Sequence, residues 1–475
     1  MTHIFVLNKS TKSWAYQVEE LLRNLAVGNK ATVWDFSSCQ SWRPISISRA
    51  KAQFHLRRLP NVTWIRYRKL GWINLLSIVK TVKFLCKFLI LRKRRLPNLS
   101  SDLAFAHDAI LCRLSQTMGS RNFSLHEVPL VYFFRFTREA FLGQLAYPFI
   151  TEEYSQITLF NGRGPLESVI IRKSIDVSIK VDLTERASSD SKYENYSISP
   201  HYQPEWWDKA WNFWEKSQPI DSVRRREIHQ YLELKSRGFD SFMGQKWHKF
   251  YVRHGQDFTA LSPYVVFFST STHEFSPIVE YDCKFGFFNQ FEAAKKLRHV
   301  CEKLGYKLVI RRHPNSLSPF DKRDREATLW DELSSPNTVI FGPKHSVNSI
   351  ELAKNSHVAF VWRSSVGVET LFEGVPTYAL GSARWALDES VRAWSEEKIY
   401  SVISNPAQTM DLPLEIYANY MAKGGTSLKH FKSVNRYFIT TLLGDRLYMN
   451  LGDRFVIALS NRARNSLNKK TRRKA

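Results

Sequence analysis

Basic side chains follow two apolar runs in the second half of the sequence, where they can bind a phosphorylated ligand. Arg312 and His313 come directly after the run 307–310, and Lys344 follows the run 338–341. Cationic groups bind phosphate oxygens through charge-assisted hydrogen bonds. The spacing therefore predicts an anion-binding edge built from residues that are distant in the sequence.

The pair Ser364 and Ser365 has the most specific chemistry. It stands between a third apolar run, 357–361, and a helical pattern that contains Gly367 and Glu369. Hydroxyls and free backbone N–H groups at a helix N-terminus favour a phosphate, a glycine lets the backbone approach closely, and the Glu369 carboxylate can accept two hydrogen bonds from a ribose diol. Alternatively, Ser364 caps the helix and Glu369 complements its dipole.

The apolar runs also predict the element that positions these groups. Short apolar strands that alternate with helical patterns indicate a parallel sheet covered by helices. Ligands of such sheets bind beyond the carboxyl ends of the strands. We therefore expect Ser269 and Ser271, which follow the strand 264–268, to face the same ligand as Arg312 and Ser364.

The first half of the sequence shows the same alternation and predicts a first Rossmann-like domain. Its strand 157–160 ends at Asn161 and Arg163, which we assign to the acceptor side of the cleft, although an Asn-Gly pair is often only a turn. Further predicted elements are strands at 4–7, 31–36 and 176–183, a helix at 13–25, a loop at 187–204, and helices at 205–242, 384–395, 412–421 and 428–443.

Three motifs carry a family resemblance. Arg-Arg-His-Pro-Asn (311–315), Pro-Lys-x-x-Val-Asn-Ser-x-Glu-Leu (343–352) and Ser-Ser-Val-Gly-Val-Glu-Thr-Leu-Phe-Glu-Gly-Val-Pro (364–376) resemble the C-terminal domain of bacterial capsule and surface-polysaccharide glycosyltransferases. The resemblance covers 264–385, and Asn-Gly-Arg at 161–163 is a weaker echo. Members of this group have the GT-B fold, an α/β architecture of two Rossmann-like domains.

The resemblance implies a cleft between the domains, C-terminal helices that cross back to the first domain, a nucleotide-sugar donor as substrate, and neither a cofactor nor a bound metal. We divide the chain into an N-terminal acceptor domain (1–243) with a basic insert (43–97), a linker (244–263), a nucleotide-sugar domain (264–415), C-terminal helices (416–461) and a basic tail (462–475).

Two residues are candidates for the catalytic base. An inverting transfer needs a carboxylate or an imidazole to take the proton of the acceptor hydroxyl. Glu185 follows the predicted strand 176–183 on the acceptor side, and the neighbouring Arg186 favours its ionised form. His273 follows the strand 264–268 on the donor side.

The formal charge of +25 requires a partner or a surface that explains it. Residues 36–101 contain fifteen lysines and arginines and no acidic residue. Within them, Lys80, Lys83 and Lys87 share one face of a predicted helix at 72–91. Each lysine would cost about 2.5–3.5 kcal/mol inside a bilayer, so we expect the helix to lie on an anionic membrane surface. The alternatives are a domain helix with solvated lysines, or nucleic acid as the partner.

These observations predict a glycosyltransferase that acts at the inner face of the cytoplasmic membrane on a surface polysaccharide or a lipid-linked glycan. The five cysteines are scattered and form no Cys-x-x-Cys pair, and no signal peptide is expected, which favours a reducing compartment. Two alternatives stay open. A sugar-nucleotide epimerase of the same fold would gain nothing from a basic surface, and a nucleic-acid-binding protein would use the basic tracts as its site, but no recognised motif accompanies them.

Overall fold

A computed structural model gives the fold of the chain. It divides into two compact units: unit 1 (1–110, 130–199 and 425–475) and unit 2 (111–129 and 200–424). The residues that the structure describes are 2–7, 11–36, 47–66, 82–83, 86, 88, 101–118, 124–146, 149–162, 164–187, 189, 191–197, 203–237, 258–272, 286–317, 324–407, 411–434, 438–441 and 446–448.

Unit 1 is built on a sheet of five parallel strands extended by two antiparallel ones. The parallel strands lie in the order β5-β4-β1-β2-β3, and β6 and β12 extend the β5 edge. The strands are β1 (Thr2–Leu7), β2 (Lys30–Asp35), β3 (Val62–Arg66), β4 (Tyr154–Phe160), β5 (Lys180–Arg186), β6 (Lys192–Tyr196) and β12 (Thr426–Ser427).

The helices of unit 1 bury an apolar face against this sheet. Trp14, Val18 and Leu21 recur at the helical spacing that the sequence predicted, and they pack on Phe5 and Val33 of the sheet. The helices are α1 (Thr11–Ala26), α2 (Ile47–Leu56), α3 (Ser101–Met118), α4 (Leu130–Ala146) and α5 (Pro165–Asp176); the boundary between the units falls within α3.

The chain returns to unit 1 after residue 424, and the described part of this segment forms strands in place of the predicted helices. The predicted helix at 428–443 is wrong in the described residues: β13 (Phe431–Val434), β14 (Phe438–Thr441) and β15 (Arg446–Tyr448) form an antiparallel sheet. Aromatic and β-branched residues favour strands, and Val434 and Ile439 are buried in the core of unit 1. Buried Glu19 of α1 fixes the approach, since its carboxylate accepts the backbone N–H groups of Lys429 (2.8 Å) and His430 (3.0 Å).

Two further predictions in unit 1 need correction. The loop expected at 187–204 contains β6, because Tyr193 and Tyr196 are buried in an antiparallel pairing with β5. The strand expected at 176–183 begins only at Lys180. The chain leaves α5 through Ser178, whose positive φ of 57° turns it back toward the sheet.

Unit 2 contains a sheet of five parallel strands, in the order β11-β10-β7-β8-β9. The strands are β7 (Tyr264–Phe268), β8 (Lys307–Arg311), β9 (Thr338–Phe341), β10 (Ala359–Val361) and β11 (Thr377–Ala379), close to their predicted positions. Counted within each unit, the parallel strands of units 1 and 2 have the same order, 5-4-1-2-3. The fold class predicted from the sequence, two Rossmann-like α/β domains in one chain, is thus confirmed.

Two helices expected in the first domain belong to unit 2. Instead of one helix at 205–242, the described residues form α6 (Gln203–Lys216) and α7 (Ser222–Ser236). They pack against α11 (Val366–Phe372) and α13 (Asp411–Lys423) of unit 2, which moves the boundary of the first domain from residue 243 to about 200. Helical periodicity in the sequence does not indicate which unit a helix packs against.

The other helices of unit 2 follow the predicted alternation except at 384–395. That stretch forms turns and a single 3-10 turn (Glu389–Val391), and the next α-helix begins at Glu396, where Ser395 Oγ accepts the N–H of Lys398 (3.2 Å) as an N-cap. The remaining helices are α8 (Gln290–Leu304), α9 (Ala327–Asp331), α10 (Ser349–Lys354) and α12 (Glu396–Ser404).

Most of the predicted basic helix at 72–91 lies outside the described residues, including Lys80 and Lys87. Lys83 is helical and exposed, and Phe88 is fully buried. Of the predicted linker 244–263, the described part starts at residue 258. Among the described residues, no helix combines the length and the apolar character needed to cross a membrane.

A buried histidine makes the stability of unit 1 depend on pH. His3 Nε2 lies 2.7 Å from Thr158 Oγ1, and burial lowers the pKa of His3 to about 4 from 6.5. The folded state therefore holds the neutral ring, while the unfolded chain takes up a proton as soon as the pH falls below about 6.5. Stability contributed by His3 is complete above pH 6.5 and is lost as the pH falls toward 4.

We expect the free energy of unfolding to fall by roughly 2 kcal/mol more between pH 7 and pH 5 in the wild type than in His3→Gln, which keeps a hydrogen-bonding side chain but does not titrate. Urea unfolding of the full chain at the two pH values measures this difference. His55→Gln, a change at an exposed histidine of the same unit, should behave like the wild type. Equal pH dependence in His3→Gln and the wild type would contradict the assignment.

Candidate functional site

The strand order of unit 2 creates a crevice at one place on its sheet. β7 lies between β10 and β8, so the chain leaves β7 toward one side and returns to its other side later. Open α/β sheets bind their ligands at the carboxyl ends of the strands where the order reverses in this way. In unit 2 this point is flanked by Ser269–Ser271 after β7 and by Trp362–Ser365 after β10.

The loop after β7 holds its polar groups rigidly. The Oγ of Ser269 accepts the backbone N–H of His313 (3.0 Å), and Thr270 exchanges two backbone hydrogen bonds with the side-chain amide of Gln290 (3.0 and 3.1 Å). The side chain of Ser271 is fully buried, and its hydroxyl has no hydrogen-bond partner among the described residues. A buried hydroxyl without a partner costs free energy, and the Ser271 hydroxyl is the polar group of this loop that the described residues leave unbonded.

The loop after β10 differs from the expected phosphate cradle. Ser364 Oγ accepts the N–H of Val366, the first residue of α11 (3.3 Å), and Ser365, which occupies the N-cap position without a side-chain capping bond, is exposed. A Cβ on Gly367 would lie 2.1 Å from Cζ2 of Trp385, and the indole N–H of Trp385 donates to the Ser364 carbonyl (2.9 Å). Gly367 therefore makes room for a buried indole, and the sequence alone did not reveal that role.

Glu369 lies inside unit 2. Its carboxylate is 3.7 Å from Nζ of Lys235, and both side chains are less than 10% exposed. The ion pair joins α11 to α7. Removing one partner of a buried pair costs about 3–5 kcal/mol because the other charge is left uncompensated. The structure thus gives Glu369 a partner within the protein in place of the predicted ribose.

Arg312 also has a partner within the protein. Its guanidinium donates to both carboxylate oxygens of Asp324, at 2.6 Å each. The adjacent Arg311 donates to the carbonyls of Gly342 (2.8 Å) and His345 (3.1 Å), and burial lowers the pKa of Arg311 to about 10. Arg311 thereby holds the loop that carries Lys344, whose side chain is exposed.

An acidic cluster next to the loop after β7 was missed in the sequence. Thr272 Oγ1 donates to Glu326, a buried carboxyl whose pKa is raised by burial. The N–H of Glu326 lies 3.3 Å from Asp324, the partner of Arg312. In the sequence, the only sign of this cluster is the pair of acidic residues on either side of Arg325. The hydrogen bond between Thr272 and Glu326 joins residues that are far apart in the sequence, so local spacing does not reveal it.

Unit 1 places two of the predicted residues together at the equivalent edge of its sheet. Asn161 directly follows β4, at the switch between β4 and β1, in a left-handed conformation (φ 63°). Its side-chain amide donates to Glu185 at the end of β5, and its backbone N–H donates to the carbonyl of Thr184 (3.0 Å). Arg163 lies outside the described residues, as does His273 of the second unit.

The described residues offer no preformed metal site: no group of three or more histidine, cysteine, aspartate or glutamate side chains could hold an ion there. Among the described residues, these two edges carry hydroxyls, the amide of Asn161, the half-buried carboxylate of Glu185 and the exposed cation of Lys344, with the half-buried Arg363 next to Ser364.

Comparison with known proteins gives remote likenesses only. No family profile matches the chain, and no curated protein does. Similar solved structures include the β-Kdo 2,4 transferase KpsC of Thermosulfurimonas dismutans (11% identity, 62% of this chain and 86% of that chain, TM-score 0.37). Others are the UDP-GlcNAc 2-epimerase of Methanocaldococcus jannaschii with UDP-GlcNAc and UDP (11%, 89% and 96%, 0.25) and HepE of Anabaena with UDP-glucose (11%, 89% and 93%, 0.23). Likenesses this weak carry no argument about activity.

The contact between Gly367 and Trp385 can be tested with a matched glycine. Gly367→Ala should lower the free energy of unfolding by about 1–3 kcal/mol or more, because the indole and its hydrogen bond to Ser364 must shift. In Gly342→Ala, the new Cβ would meet nothing closer than 4.0 Å, at His345, so a change within about 0.5 kcal/mol is expected. Urea unfolding measures both. Equal stability of the two variants would contradict this packing.

Proposed function

We propose that the protein is a glycosyltransferase that moves a sugar from a nucleotide-activated donor to a surface polysaccharide or lipid-linked glycan at the inner face of the cytoplasmic membrane. The observation that carries this proposal is the repeated strand order of the two units. Each unit has hydrogen-bonding side chains at its switch point, where α/β sheets bind ligands. The motifs of unit 2 add the resemblance to polysaccharide glycosyltransferases.

Unit 2 is the proposed donor side. The Ser271 hydroxyl, the exposed Ser365 and the cation of Lys344 are the groups assigned to the donor diphosphate. As the bond between the sugar and the diphosphate breaks, negative charge develops on the leaving oxygen, and prepositioned donors and a cation stabilise it. This assignment requires no metal ion.

Arg312 and Glu369 act through other residues in this proposal. Arg312 orients the loop that carries Asp324, and Glu369 fixes α11 through Lys235. Since both charges are buried and paired, we assign them to positioning the donor site. Ser269 likewise holds the backbone of His313.

Unit 1 is the proposed acceptor side, and Glu185 is the proposed base. Its carboxylate takes the proton of the acceptor hydroxyl while the acceptor oxygen forms the new bond to the anomeric carbon and the nucleotide departs with the electrons of the old one. The amide of Asn161 holds one carboxylate oxygen, and the N–H of Arg186 donates to the other (2.9 Å). Both bonds orient the carboxylate, as an effective base requires.

Nucleotide binding is the first test. We expect at least one of CMP, UDP, GDP and ADP to raise the thermal unfolding midpoint, because a ligand at a hundred times its Kd adds about 2.7 kcal/mol to the stability of the folded state. Ser271→Ala should bind that nucleotide more weakly, while Ser356→Ala, which removes a hydroxyl ahead of β10 at the opposite end of the same sheet, should not. Absence of any stabilisation at millimolar nucleotide would overturn the donor site.

Loss of the base is the second test. Glu185→Gln preserves the shape and removes the basicity, so kcat for glycosyl transfer should fall by about 10²–10⁴-fold while the nucleotide-induced thermal shift stays unchanged. Glu153→Gln is the control, since Glu153 is an exposed carboxylate that precedes β4 at the opposite end of the same sheet.

The size of the loss decides between the two candidate bases. A loss of less than tenfold in Glu185→Gln would remove Glu185 from the mechanism and leave His273 as the candidate. Conversion of a free sugar nucleotide into its epimer, in the absence of any acceptor, would favour the epimerase alternative.

A further inference from the structure

The first half of α4 exposes three large apolar side chains. Leu130 is 50% exposed, Val131 62% and Phe134 57%. Val131 and Phe134 share one helix face with Arg135 and Arg138, at the spacing i, i+3, i+4 and i+7. We call the five residues 130, 131, 134, 135 and 138 the α4 stripe. It combines an apolar end with two guanidinium groups.

The α4 stripe is not the face that builds the core. The buried side of the same helix includes Phe133, Phe136 and Ala140. Farther along, α4 packs tightly on α5: a Cβ on Gly143 would lie 2.8 Å from Cβ of Val169. Core packing of unit 1 therefore uses one side of α4 and leaves Leu130, Val131 and Phe134 exposed, and neighbouring exposed apolar side chains mark an interaction site. Arg135 and Arg138 are half-buried, and Arg135 forms an ion pair with Glu139 one turn along (3.4 Å).

The α4 stripe lies beside the basic part of the chain. Phe88, within the acid-free stretch 36–101, is buried against Phe133 of α4 (ring centroids 5.5 Å apart) and His107 of α3 (4.9 Å). In the same short stretch, Val82 is 45% exposed and Lys83 is exposed. Apolar side chains that can be buried and cations that attract anions thus occur on neighbouring segments of one unit.

We propose that the α4 stripe inserts into the interfacial layer of an anionic lipid bilayer. A surface helix that binds this way buries its apolar side chains about 5–10 Å into the boundary between headgroups and acyl chains, while its basic residues bind the anionic headgroups. Leu130, Val131 and Phe134 supply the apolar contact, and Arg135, Arg138 and the exposed Lys83 supply the positive charge. Nucleic acid would match the charge but would gain nothing from the exposed aliphatic residues.

The inference deepens the membrane part of the proposed function by naming the surface that makes the contact. It places the lipid on unit 1, the side to which the acceptor is assigned. A lipid-linked acceptor then meets the enzyme without leaving the bilayer surface.

Flotation with vesicles tests the α4 stripe. The full chain is mixed with vesicles of phosphatidylcholine with or without 30% phosphatidylglycerol. We expect flotation with the anionic vesicles only, and a partition coefficient at least about tenfold lower for Val131→Ser/Phe134→Ser, because burying one valine and one phenylalanine contributes more than the 1.4 kcal/mol that tenfold represents. The control Ile175→Ser changes a side chain that is equally exposed (59%) but lies on α5, and it should float like the wild type.

If the double variant folds poorly, a variant with an added fluorescent side chain gives an independent test. Phe134→Trp should add fluorescence that lipids brominated in their acyl chains quench, whereas Ile175→Trp should add fluorescence that they leave unquenched. Failure of the wild type to float with anionic vesicles, flotation of the double variant at the wild-type level, or binding to RNA in place of vesicles would each overturn the proposal. The nucleotide-induced thermal shift of the double variant should match the wild type, so loss of the donor site would be recognised separately.

Discussion

The hydrogen bonding of two parallel sheets is the constraint on which the rest of the structure depends. The inner strands of the unit 2 sheet are paired along both edges and consist mainly of buried apolar residues; all five residues of β7, for example, are buried. The polar side chains that are candidates for ligand binding lie where the strands end. The strand order then selects one place on each sheet, and in both units the residues there are hydroxyl- or amide-bearing: Ser269–Ser271 in unit 2 and Asn161 in unit 1.

Buried charged side chains are the second organising feature, because they fix the positions of loops and helices. Arg311 binds two carbonyls of the loop after β9, Lys235 pairs with Glu369 across two helices, and Glu19 accepts the backbone of residues 429 and 430. A charge that is removed from water must find partners of this kind, since an unpaired one is very costly. Each pair therefore fixes a loop or a helix beside a sheet edge, and several basic or acidic residues that look available in the sequence are already engaged.

The proposed activity uses side chains at the two sheet edges that do not belong to these buried charged pairs. Ser271, Ser365 and Lys344 are the groups assigned to the donor side, and Glu185 with Asn161 is the pair assigned to the acceptor side. The excess positive charge of the chain needs a separate explanation, because fifteen of its lysines and arginines lie in the acid-free stretch 36–101 of the sequence. The α4 stripe next to that stretch offers one, since exposed apolar side chains beside cations match the chemistry of an anionic bilayer.

The sequence by itself determined the parallel α/β architecture and the positions of the strands in unit 2, because buried runs and helical spacing are local patterns that depend on the pleat and the helical repeat. It also located Asn161 and Glu185 at strand ends, where the structure brings them together. Only the tertiary structure decided that 428–443 forms strands, that α6 and α7 join unit 2, that Glu369 pairs with Lys235, and that Gly367 accommodates Trp385. These outcomes depend on partners far away in the chain, and the cost of leaving a buried charge unpaired, like the gain from burying an indole, exceeds a local preference.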